Sequence, residues 1–321
     1  MNRFKIRGRS GMAVIILVVI QGLFLTGCAD LSAIRKFAET SSQAESYKAI
    51  TNDYIRSEER QLYYVKGKER RDRLATDIKK RQELVGALLA LQTLMAKYMQ
   101  SLGALAADEL PAYDEEIDSL VGALEKAAFF KESGISAKEL TAGSNIAKLL
   151  ARAATDAYRQ NKLREVISAA NADIQIIIAK QKEILTDYKR SLVTEQREMI
   201  DYYGQVIVKS IPKEYFTDKE PKPEYYGDII IDAKMDPPQK AALLLLRDHL
   251  QEKLTAAEER KKAISEYEKV LDNIAAGHQH LFANRDALSK DLVISTIKGY
   301  SANISRAYEA LITLNLIRGG K

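Results

Sequence analysis

One cysteine, six prolines and no tryptophan stand in a chain of 321 residues, and each scarcity excludes something. A single cysteine builds neither a disulfide framework nor a Cys-rich zinc module. So few prolines and only sixteen glycines rule out collagen-like and low-complexity chains. Charge of one sign is lacking too: 49 basic side chains face 44 acidic ones, and 46% of residues are hydrophobic. Such a chain is too apolar and too evenly charged to be disordered. Catalytic signatures are equally scarce. There is no Gly-x-Ser-x-Gly elbow, no P-loop glycine cluster, no His-Glu-x-x-His and no carboxylate-rich calcium loop. Ser210-Ile211-Pro212-Lys213 matches Ser-x-x-Lys, but no Ser-Asp-Asn or Lys-Thr-Gly accompanies it, so the match is read as chance.

The N-terminus, by contrast, is rich in information. Arg3, Lys5, Arg7 and Arg9 precede a nearly all-apolar run over 13–25, with no acid in either part. This is the charge and hydropathy order of a secretory signal, and the run is too short to span a bilayer as a mature helix. Leu25-Thr26-Gly27-Cys28 follows, and Cys28 is the only cysteine in the chain. These residues resemble the lipobox of bacterial lipoprotein precursors. The resemblance implies cleavage before Cys28, a covalent lipid on its thiol and acylation of the new amino terminus, with no other cofactor. In that class an Asp directly after the cysteine signals inner-membrane retention. Here Ala29 takes that place, with Asp30 after it, so the implied address is the outer membrane, on its periplasmic face, with the inner membrane as the alternative. Removing 1–27 discards four cations and no acid, leaving 45 basic against 44 acidic side chains. A near-neutral domain lacks the basic stripe that nucleic acid needs.

The rest of the chain reads as helix. Leu84, Leu88, Leu91, Met95, Tyr98, Leu102 and Leu105 alternate spacings of four and three, a heptad seam. A second seam runs Leu163, Ile167, Ala170, Ile174, Ile177, Gln181, Ile184, Tyr188, and a third from Val293 to Leu314. Between them a broader stripe extends from Leu243 to Ile274. These patterns predict an all-α fold: one elongated bundle of long antiparallel amphipathic helices, with coiled-coil-like seams packed within the chain or, in part, kept for self-association. The expected organisation is a signal peptide at 1–27, a lipidated tether at 28–41 and a helical bundle at 42–321.

Punctuation sets expectations for helix ends. Gly67 is the only breaker between Ser42 and Lys80, so that helix is expected to continue into the Leu84 seam. Leu110-Pro111 ends it, Ser136-x-x-Glu139 is a capping box, and no proline interrupts Asn145–Val208. Residues 209–238 break the pattern. They hold five of the six prolines with Tyr215, Phe216, Tyr225 and Tyr226, and a long irregular stretch of this kind is commonly functional. These four rings are candidate binding residues.

Other candidates are weaker. His278 and His280 follow Gly277, where a turn or solvent role is expected, although two converging imidazoles suit a transition metal. The tyrosine pairs Tyr63-Tyr64, Tyr202-Tyr203 and Tyr225-Tyr226 cannot all face one core, since adjacent helical residues point about 100° apart. Tyrosine is both apolar and hydrogen-bonding, so exposed clusters suit binding. The expectation is a non-enzymatic, membrane-tethered envelope lipoprotein acting as a scaffold or protein-interaction module. The alternative is a bundle that binds a ligand or metal in its core or under 209–238.

Overall fold

A computed structural model describes residues 31–109, 111, 116–128, 135–155, 159–210 and 236–314. Within them lie eight α-helices, a short 3₁₀ turn at Gln43–Tyr47 and no strand. The helices are α1 (Ser32–Ser42), α2 (Lys48–Gln61), α3 (Lys68–Ala106), α4 (Glu116–Ala128), α5 (Ala137–Thr155), α6 (Arg159–Ser210), α7 (Pro237–Ala283) and α8 (Asp291–Thr313). At 1.5 Å per residue α6 is about 78 Å long and α7 about 70 Å. The all-α bundle is therefore drawn out along these two.

The seams are the core. In the first, every member from Leu84 to Leu105 is at most 7% exposed, and in the second every member from Leu163 to Tyr188 is at most 8% exposed. Fully burying one such leucine or isoleucine stabilises by roughly 1.5–3 kcal/mol. Cross-helix pairs set the register. Arg164–Asp286, Lys182–Asp272 and Lys189–Glu268 run α6 antiparallel to α7 over most of their length. Asn303–Asn273 turns α8 back along α7. Helices α4 and α5 pack against α3 near its C-terminal end. One end of the rod thus holds seven helices, and the other holds α2, α3, α6 and α7.

Three helix ends show how local chemistry makes the boundaries. Ser136 and Glu139 form the expected capping box: the Ser136 N–H donates to Glu139 Oε2 at 2.7 Å and Ser136 Oγ accepts from the Lys138 N–H at 3.2 Å. Burial raises the Glu139 pKa, but its bonds from Ser136 outweigh that and hold it below the usual carboxylate range. Helix α3 stops before Pro111, in a Schellman turn. Glu109 N–H reaches Ala104 O and Asp108 N–H reaches Leu105 O, with Asp108 at φ 62°. Pro237 sits in the first turn of α7, where its missing N–H costs nothing.

Three expectations change. The helix does not run through Gly67. That residue, at φ 91°, reverses the chain, and α2 folds back antiparallel on α3, with Thr51 bonded to Gln92 and Arg81 to the Tyr54 carbonyl. The proline-free region after Asn145 is not one helix, because α5 and α6 lie side by side, with Asn145 facing Asp173. Helix α1 starts at Ser32, inside the stretch read as a tether, and Ile34, Phe37 and Ala38 are completely buried. Apolar residues at i, i+3 and i+4 were already a helix face there. Folding α1 into the core leaves 28–31 to link Cys28 to the bundle.

Candidate functional site

The chain brings two of its tyrosine pairs together at the four-helix end. Tyr63 and Tyr64 stand on the turn between α2 and α3, Tyr202 and Tyr203 on α6. Ring centroids are 5.7 Å apart for Tyr64–Tyr202, 6.1 Å for Tyr64–Tyr203 and 5.4 Å for Tyr202–Tyr203. His249 of α7 closes the cluster, 5.7 Å from Tyr203. Tyr63 remains 79% exposed. These rings wall a cleft of about 440 Å³, within the roughly 300–1,000 Å³ range of small-ligand sites. No phenol of the four hydrogen-bonds to a described residue. Burial raises the Tyr64 pKa, with Tyr203 and Glu195 adding to it, and burial then Tyr202 do the same for Tyr203.

The floor is charged and mostly satisfied. Arg60 grips Glu195 with Nε at 2.7 Å and Nη2 at 3.1 Å, and reaches Asp53 with Nη1 at 2.7 Å. Burial opposes the charge on Arg60, but these two carboxylates raise its pKa. Asp53 also accepts from the Tyr188 phenol, whose pKa burial and that carboxylate push well above normal. Glu195 is only 2% exposed, so Arg60 is its counter-ion and its shield from solvent.

Arg260 is different. Its Nε lies 3.1 Å from Asp53 Oδ2, near enough to feel the charge but too poorly aligned for a hydrogen bond, and it donates none to any described residue. Lys253, one helical turn or more away on α7, lines the cleft without an ion pair to a described residue. Beyond the tyrosines, outside the cleft's lining, lie Lys66 and the start of α3. There Lys66, Lys68, Arg70, Arg71 and Arg73 are all exposed among only two acids, Glu69 and Asp72. Arg70 is paired with Glu198 and Arg73 with Glu69, and Lys66 lies over the Tyr202 ring.

The histidine expectation is overturned. Gly277 does not break α7. It brings the helix against α1, where a Cβ would fall 2.5 Å from Phe37 Cε2. His278 is fully buried between Tyr98 and Asn171, and His280 faces the Tyr300 ring with its buried Nε2 unbonded. Among the described residues no group of three or more His, Cys, Asp or Glu is placed to hold a metal. A ligand within the core is also poorly served at a polar void there. The space between Thr51, Gln92, Gln181 and Tyr267 measures about 20 Å³, roughly one water.

Cys28, Tyr215, Phe216, Tyr225 and Tyr226 lie outside the described residues, as does most of the Ser-x-x-Lys match. No described helix is long and apolar enough to cross a membrane. Comparison with known proteins adds no name: no family model, no curated protein and no solved structure matches this chain.

The residues that reasoning from sequence missed are Arg60, Lys253 and Arg260. Each sits in an ordinary charged helix pattern, and only the α6–α7 register and the reversal at Gly67 carry them to the tyrosines.

Proposed function

We propose that this protein is a non-enzymatic envelope lipoprotein, held to a membrane through Cys28, whose rigid helical rod carries an interaction cleft away from its anchor. The observation that carries the reading is the opposition of the two ends. Phe37 of α1 packs at Gly277, and Tyr203 packs at His249, about 42 Å further along α7. Leu31 lies beyond Phe37 at the same end, three positions from Cys28, which adds at most about 10 Å. A lipid at Cys28 would sit at the seven-helix end, and the tyrosine cleft some 50 Å from it by the same count.

Several acyl chains, each CH₂ contributing about 0.8 kcal/mol, would make that attachment lasting. The long-helix core supplies stiffness and the cleft supplies the contact, which suits a scaffold joining a membrane to an envelope protein, on the outer membrane's periplasmic face. Two measurements test it. Labelling with a palmitate analogue should mark the wild-type chain and not Cys28→Ser, which should also leave the membrane fraction. A photo-crosslinking amino acid in place of Tyr63 should give a discrete envelope adduct, absent when the same group replaces exposed Leu292 of α8. Retained labelling in Cys28→Ser, or identical adducts from both positions, would overturn the reading.

A further inference from the structure

The geometry points to the chemistry of what the cleft takes: we infer that it binds an extended acidic segment of a partner protein, one that sets aromatic or proline rings among Tyr63, Tyr64, Tyr202 and Tyr203 and a carboxylate against Arg260. This rests on the reading of the cleft as an interaction site and specifies its ligand.

The cations lining the cleft are Arg60, Lys253 and Arg260, and of these Lys253 makes no ion pair with a described residue. Glu195, the acid in its floor, is spent on Arg60. Arg260 is held by charge alone: its Nε stands 3.1 Å from Asp53 Oδ2 without a hydrogen bond, a state uncommon for a buried nitrogen in a native protein, and no hydrogen bond ties its guanidinium to a described residue. Lys253 lines the same cleft two helical turns earlier on α7, about 10 Å along the axis. An acidic segment can set a carboxylate against each and needs no acceptor in return, and a guanidinium fork matches a carboxylate's two oxygens. The four phenols donate and accept alike, so the cations and not the rings set the preference for an acid. The acid left at the rim is Glu252, whose carboxylate stands 3.8 Å from His249 Nδ1.

Charge beyond the floor has a direction. On the α3 side Lys66, Lys68 and Arg71 make no ion pair with a described residue, and all three are exposed. On the opposite side the outer face of α7 carries Asp248, Glu252 and Glu259. An acidic segment is drawn from Arg260 across the tyrosines towards the start of α3 and repelled from the α7 face. One track results. The rings along it suit a segment with proline or aromatic side chains, since flat phenols bind such residues at little entropic cost.

The test uses the full chain purified in detergent and two fluorescein-labelled peptides, Glu-Tyr-Pro repeated four times and its Lys-Tyr-Pro counterpart, read by fluorescence anisotropy. The acidic peptide should bind saturably, at least roughly tenfold tighter than the basic one, and more weakly as salt rises. Lys253→Glu touches no described ion pair and should leave the melting temperature unchanged while lowering acidic-peptide affinity roughly tenfold. Tyr202→Ala/Tyr203→Ala should weaken binding of that peptide too, and Arg260→Lys should weaken it less than Arg260→Gln. Equal affinity for both peptides, affinity untouched by Lys253→Glu, or preference for an N-acetylglucosamine oligomer would each overturn the inference. If the peptides fail while the Tyr63 crosslink to an envelope protein persists, the ligand chemistry is wrong and the interaction site stands. If both fail, the site itself is wrong.

Discussion

Tyr98 donates its phenolic proton to Nε2 of His278 across 2.6 Å, at a place in the bundle where neither side chain has any exposed surface. The other imidazole nitrogen, Nδ1–H, donates to Asn171 Oδ1 at 2.9 Å, and Asn171 Nδ2 donates to Gln279 Oε1 at 2.9 Å. Every polar atom of the histidine is satisfied only while the ring is neutral, because a second ring proton would face the Tyr98 hydroxyl with no acceptor charge nearby. Burial accordingly lowers its pKa to about 3. The chain ties α3, α6 and α7 together, and a one-residue slip of any of them would strand buried polar groups.

A pH dependence follows. The unfolded histidine titrates near 6.5, and the folded one near 3. Between those values the unfolded state binds more protons, so the stability His278 contributes is complete above about pH 6.5 and is lost as pH falls towards 3. From pH 7 to 4.5 the loss from this residue is at most roughly 2–3 kcal/mol. Urea unfolding at both values should show a smaller acid-side loss in His278→Gln than in the wild type. Equal slopes would mean that the site opens to water.

Glycines in these helices divide by what lies beside them. At Gly277 an added methyl would meet Phe37 Cε2 at 2.5 Å and Cζ at 2.6 Å, and that ring is wholly buried. Gly277→Ala should therefore destabilise by about 1–3 kcal/mol despite its better helix propensity. Gly299, exposed on α8 with nothing within 4 Å, should do the reverse. Gly299→Ala is expected to stabilise by about 0.5–1 kcal/mol. Thermal melts of the two variants check the opposite signs, and adding Phe37→Leu should rescue Gly277→Ala alone.

Elongation has its own measure. With α6 and α7 near 78 and 70 Å, the radius of gyration should clearly exceed the roughly 20 Å of a compact globule of this length. Small-angle scattering from the detergent-free chain lacking 1–28 would read it directly, and a value near 20 Å would contradict the long antiparallel pair.

Much of this was legible in the sequence because it depends on period. Each seam residue from Leu84 to Leu105 and from Leu163 to Tyr188 is buried as its spacing demands, and the Ser136–Glu139 cap is local enough to be read directly. What depended on the third dimension was less accessible. Gly67 in isolation does not say whether a helix kinks or reverses, since φ 91° is chosen by the packing of α2 on α3. His278 looked like a turn residue because Gly277 precedes it, and the partner that explains Gly277, Phe37, is some 240 positions away. The tyrosine pairs suggested binding, but their convergence needed both the Gly67 reversal and the α6–α7 register.

The final prediction concerns the cleft's charged floor. Among the described residues Arg60 alone pairs with Glu195, which is 2% exposed, and it also bonds Asp53. Arg60→Met leaves a buried carboxylate without a counter-ion, which should cost about 3–5 kcal/mol. Arg73–Glu69 makes the control, because both side chains are largely exposed. Arg73→Met should change stability by less than about 0.5 kcal/mol. Adding Glu195→Gln to Arg60→Met removes the stranded charge and should recover much of the loss, whereas adding it to Arg73→Met should cost stability by removing one of the two carboxylates that hold Arg60. Urea midpoints of the four variants give the sign of each step. If Arg60→Met proved as harmless as Arg73→Met, water would be reaching Glu195, and its carboxylate would stand free in the cleft floor to repel an acidic segment.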